Sequence, residues 1–146
     1  MGLLERIRSG TFVPDDGPPL VSPGRRLSLS EAGARVDAGE DVLLVAREVL
    51  DQAGRAEPNE IMAMVAERPE LTGVARADAL LGGIAEYIAC AHGVECPAWT
   101  SERERFLDRF WFVSTVPGFR AISLAQTPVS LKRRGILWPA RSLRRI

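Results

Sequence analysis

The chain has 146 residues, 46% of them hydrophobic, with nineteen basic and nineteen acidic side chains for a formal net charge of zero. That length suffices to bury one core. The apolar runs, such as residues 42–46, are far too short to span a bilayer.

The first ten residues, MGLLERIRSG, lack the apolar core and cleavage site of a secretory signal. With two cysteines in the whole chain, this points to a cytoplasmic protein with reduced thiols and no membrane partner. Leu3, Leu4 and Ile7 line one face of a short helix that Gly10 can end. The stretch VPDDGPPLVSPGRRL, residues 13–27, is rich in proline and glycine and reads as an irregular arm. Two parts follow: a helix and arm over 1–27, and a helical domain over 28–146.

Ser28 with Glu31 predicts a capping box and a short helix stopping near Gly39. Val42, Leu43, Val45, Ala46, Val49 and Leu50 predict an amphipathic helix with Gly54 as its C-cap. Pro58 opens the next, which carries Ile61, Met62, Met64 and Val65 and ends before Pro69. The longest helix is predicted over 75–91, where Leu80, Leu81, Ile84, Tyr87 and Ile88 recur at three- and four-residue steps. Gly82 and Gly83 in its middle cost about 1 kcal/mol each relative to Ala. They imply either a kink or the close approach of another chain segment.

Beyond that helix, Ser101 and Glu104 predict a second capping box and a helix through RERFLDRFWF. Pro117 opens a helix through Ile122 and Leu124. Pro128 opens another through Leu131, ended by Gly135. Residues 136–138 predict a short extended piece before a last turn, PARSLRRI. The expected fold is therefore all-α: one compact multi-helix domain with an irregular N-terminal arm.

The segment CAHGVECPAWT holds the only histidine, His92, and both cysteines, Cys90 and Cys96. A structural zinc site wants four ligands, usually in paired spacings, and three soft ligands do not supply them. Cys90 and His92, two apart on a helix, do not face each other as a nucleophile and base must. The expected arrangement is a helix end: a buried Cys90, a histidine in the last turn, and Gly93 as a left-handed cap. Neither a phosphate-binding loop nor a nucleophile elbow occurs. No catalytic residue, metal ligand or cofactor is assigned.

The zero net charge hides a split. Residues 1–114 hold twelve arginines against nineteen acids, whereas residues 115–146 hold Arg120, Lys132, Arg133, Arg134, Arg141, Arg144, Arg145 and no acid. This basic end either packs on the acidic body of its own chain or meets an acidic partner outside it. Seven aromatic residues also fall late, at Trp99, Phe106, Phe110, Trp111, Phe112, Phe119 and Trp138. Most of them are expected to fill a core, with Trp111 or Trp138 as the alternative interface anchor. Eighteen of the nineteen basic residues are arginine, which suits a GC-rich bacterial genome.

The run P-A-W-T, then R-F-L-D-R-F-W-F-V-S, then T-P-V-S-L-K-R-R-G-I-L resembles the C-terminal region of a group of uncharacterised actinobacterial proteins. The resemblance covers residues 78–146. Some of that group look like Xre-type regulators or antitoxins of toxin–antitoxin pairs. It implies a non-enzymatic protein that binds a protein partner, such as a toxin encoded nearby. The N-terminal part here does not read as the helix-turn-helix of the longer members. The candidate partner-binding residues are Arg120, Lys132, Arg133, Arg134, Trp138, Arg141, Arg144 and Arg145. The same residues offer a second reading, nucleic-acid binding through phosphate contacts, although a sequence pI near 6.6 is low for that role. An enzyme of unrecognised type is the third.

Overall fold

The computed structural model describes residues 25–143. The first predicted helix, the arm up to residue 24, Arg144 and Arg145 lie outside them. Ser28 caps α1 (Leu29–Asp37): its hydroxyl accepts from the Glu31 N–H at 3.1 Å, and Glu31 accepts from the Ser28 N–H at 3.3 Å. Residues 25–27, read from the sequence as the end of the arm, are tied to the helical body. The Leu27 N–H donates to Gln52 at 2.6 Å, and Arg26 donates to Glu60 at 3.2 Å and to the Arg55 carbonyl at 3.1 Å.

Asp41 caps α2 (Val42–Ala53), accepting from the Leu43 N–H at 2.8 Å. Gly54 ends it at φ −63°, so this cap makes no use of a glycine's left-handed freedom. Pro58 takes the first position of α3 (Pro58–Ala66), where a missing N–H costs nothing. The apolar faces of α1, α2 and α3 close on α4 (Ala75–Ala91), and residues 77–85 of α4 are buried without interruption. A helix apolar on every side belongs at the centre of a fold, and α4 is this fold's axis.

The glycine pair on that axis is a notch rather than a kink. α4 runs unbroken through it. A methyl group on Gly82 would meet Arg105 Cβ at 3.0 Å, and one on Gly83 would meet Leu131 Cδ2 at 2.5 Å. The C-terminal half lies across this notch.

That half departs from one sequence expectation. RERFLDRFWF is not a helix. Short 3₁₀ turns at Ala98–Ser101 and Arg103–Arg105 lead into an extended run and β1 (Trp111–Phe112), which pairs in parallel with β2 (Ile136–Leu137). The reason is competition for backbone hydrogen bonds. The N–H groups of Leu107, Trp111 and Val113 donate to the carbonyls of Arg134, Gly135 and Leu137 at 2.9, 2.7 and 3.1 Å. These long-range bonds replace the ones a helix would make four residues back. Between the strands lie α5 (Arg120–Gln126), entered through a 3₁₀ turn at Pro117–Phe119, and α6 (Val129–Lys132). Gly135 follows at φ +84°, where a side chain would be strained. The last element is α7 (Ala140–Leu143).

Seven α-helices and one two-residue strand pair thus make up the described residues, an all-α fold. None of the described helices is long and apolar enough to cross a membrane.

Candidate functional site

The helix end at 90–96 comes first. His92 caps α4, and its Nδ1 lies 2.9 Å from the Ile88 carbonyl. That contact places the proton on Nδ1 in the neutral ring and leaves Nε2 as the acceptor. Gly93 follows at φ +67°, the left-handed cap the sequence predicts. The thiols do not converge on the imidazole. Thr100 gives its hydroxyl proton to the Pro97 carbonyl at 2.8 Å, so Cys96 is the donor across the 3.1 Å to that hydroxyl oxygen.

Cys90 is exposed, which corrects the expectation of a buried thiol. It falls on the side of α4 left uncovered at its last turn. Partial desolvation, and then the nearby Glu86 carboxylate, push this thiol above its ordinary range, which lowers its thiolate fraction and its reactivity. Among the described residues, no group of three His, Cys, Asp or Glu is placed to hold a metal ion.

The basic C-terminal residues divide into three groups. Arg134 is fully buried. Its guanidinium donates to the Thr100 carbonyl at 2.6 Å, to the Ser130 carbonyl at 2.7 Å and to Glu86, and stacks on Phe106 at 4.7 Å. Burial pulls its pKa down, with Glu86 opposing. Exposed Arg133 donates to the same carboxylate at 3.0 Å. Glu86 on α4 is therefore the internal acid that this pair meets.

Arg120 and Arg141 form the second group. Both are exposed and stacked on aromatic rings, Arg120 over Phe112 at 5.2 Å and Arg141 over Phe119 at 5.9 Å. Half-buried Lys132 closes α6. None of Arg120, Lys132 and Arg141 forms an ion pair among the described residues. The third group, Arg144 and Arg145, lies outside those residues.

Trp138 is only 2% exposed and sits in the core beneath Arg47, whose guanidinium lies 5.1 Å from the ring. Neither Trp138 nor Arg134 can meet a partner without unfolding, so both leave the candidate surface. Of the late aromatics, Trp99 is also buried, and its indole N–H donates to the Val65 carbonyl at 2.8 Å. Phe110, by contrast, is 68% exposed.

One important side chain escaped the sequence reading. Arg105 is fully buried. It lies in the Gly82 notch, donates to the Pro69 carbonyl at 2.6 Å and stacks over Trp99 at 5.0 Å. Desolvation lowers its pKa, with Glu102 opposing. The glycine pair was the signal that something large crosses α4. Its identity depended on a long-range contact.

What remains accessible in the C-terminal half is markedly apolar. Eight large hydrophobic residues are exposed among the described ones, and Phe110, Val116, Phe119, Leu124 and Val129 are five of them. All five fall within twenty residues of chain, around Arg120 and next to Lys132. Two clefts flank the fold's last helix. One, of about 530 Å³, is lined by Leu50, Asp51, Arg55, Tyr87, His92 and Leu143 among others. The other, of about 680 Å³, includes Leu43, Arg47, Val113, Phe119, Trp138 and Arg141. No family model, curated protein or solved structure matches the chain.

Proposed function

We propose that this is a non-enzymatic partner-binding protein whose docking surface is the exposed stretch 110–129 with its neighbouring basic residues. The observation that carries the reading is the exposure of Phe110, Val116, Phe119, Leu124 and Val129 within twenty residues of chain, five of the eight large hydrophobics exposed among the described residues. Exposed apolar side chains beside arginines are what partner interfaces use. Residues 115–146 contain no acid, and Arg120, Lys132 and Arg141 form no ion pair among the described residues. An acidic partner bearing apolar side chains complements that surface. The narrower role, the antitoxin or regulatory component of a bacterial two-component system acting in the cytoplasm, rests on the sequence resemblance of residues 78–146 alone.

A second reading is nucleic-acid binding by the same cations. The two separate in one experiment: tagged capture from the source organism, with and without nuclease, using the natural chain and a Leu124→Glu, Val129→Glu variant. Both positions are exposed, so the variant should fold. The proposal predicts a stoichiometric protein that survives nuclease and is lost in the variant. Recovery of nuclease-sensitive material alone, or equal capture by both chains, would overturn it.

A further inference from the structure

We infer that the cleft of about 680 Å³ beside Trp138 is a binding site for a small ring-bearing phosphate monoester. The size suits a small organic ligand. Two guanidiniums line it, those of Arg47 and Arg141, and no aspartate or glutamate does among the described residues. Neither arginine forms an ion pair among the described residues. These two cations come from positions almost a hundred residues apart, on α2 and α7, and they meet at one cleft.

Each is also held in place. Arg47 stacks over Trp138 at 5.1 Å and donates one N–H to the Ser142 carbonyl at 3.1 Å. Arg141 stacks over Phe119 at 5.9 Å. A guanidinium over a ring face spends none of its N–H donors on that contact, so they stay available to an oxyanion. Placing the cations before binding removes part of the ordering cost. A phosphate monoester carries a charge of about −1.5 to −2 at neutral pH, which two guanidiniums match better than they match a single carboxylate. Leu43, Val113 and the half-open Phe119 supply apolar wall for a ring.

This site shares Phe119 and Arg141 with the proposed docking surface, but its test needs no partner and can succeed or fail independently of that reading. The test is calorimetric titration of the full chain with phenyl phosphate, phenylacetate and inorganic phosphate. The expected result is saturable one-to-one binding of phenyl phosphate, with the other two about tenfold weaker or more. Arg141→Gln, at an exposed position, should weaken phenyl phosphate binding about tenfold to a hundredfold without lowering the melting temperature. Arg47→Lys keeps the charge, loses the fork, and should weaken it by a similar factor.

Arg133→Gln is the control, because Arg133 is paired with Glu86 and does not line this cleft. It should leave affinity unchanged. Absence of saturable binding would overturn the assignment, as would equal weakening by Arg133→Gln. Inorganic phosphate binding as tightly as the ester would remove the ring from it. Tighter binding of phenylacetate would remove the phosphate.

Discussion

In residues 28–91, four helices close on each other through apolar faces, and each of the first three begins with a capping side chain or a proline from its own segment. In residues 98–143, no helix exceeds seven residues, and the chain is fastened by two buried guanidiniums. Arg105 lies in the Gly82 notch and bonds the Pro69 carbonyl. Arg134 bonds Thr100, Ser130 and Glu86. The first half buries apolar surface, which tolerates a missing contact gradually. The second half also buries Trp99, Leu131, Ile136 and Trp138, but two charged donors in low dielectric fasten it to the axis, where one missing group leaves its partners unsatisfied. This leaves apolar side chains of 110–129 outside the core, where a partner can reach them.

The two halves differ most at the guanidiniums. Arg105→Ala should cost about 3 kcal/mol in urea unfolding, because the Pro69 carbonyl loses its donor and a fully buried side chain leaves a void. Hydrogen exchange should show lost protection over 98–137 while α2 and α3 stay protected. Uniform loss across both halves would show that they are one cooperative unit. Gly83→Val tests the notch. It should cost about 1–3 kcal/mol by overpacking against fully buried Leu131, although it removes a helical glycine that is itself unfavourable by roughly 0.5–1 kcal/mol. A stabilised variant would mean that Leu131 swings aside and the notch is not a constraint.

Ser28→Ala, a purely local lesion in the first half, should cost about 1 kcal/mol. Cys90→Ala, at an exposed position, should stay within about 0.5 kcal/mol. A pH titration sharpens the contrast without a large variant effect. Partial desolvation raises the Glu102 carboxyl, but Arg68 and Arg105 outweigh it and hold the group below its ordinary 4.5. A depressed folded value contributes stability that is present above the unfolded pKa and lost as pH falls through the folded one. Stability should therefore decline below about pH 4.5, and Glu102→Gln should flatten that decline. An unchanged acid limb would remove Glu102 from the account.

Legibility in the sequence follows the same division. Ser28, Pro58 and Gly93 act within a few residues of themselves, and each marks a helix end where the structure has one. The span 75–91 was readable because its apolar residues recur at the helical period. RERFLDRFWF misled because its local cues, Ser101 and Glu104, were outweighed by backbone bonds to residues 134–137, some thirty positions away. The basic candidates fared alike. Charge was legible, but which arginines are spent internally depended on Glu86, forty-eight residues from Arg134. Arg133→Glu with Arg134→Glu would therefore place two acids against Glu86 and destabilise the second half.

The most direct measurement is hydrogen exchange along the chain, with and without the captured partner. The account predicts new protection over 110–129 and at the start of α6, with α2 and α3 unchanged. New protection confined to α1, α2 and α3 would contradict it, because the docking surface would then lie on the half where Leu44, Met62 and Val74 are the exposed large hydrophobics, not on 110–129.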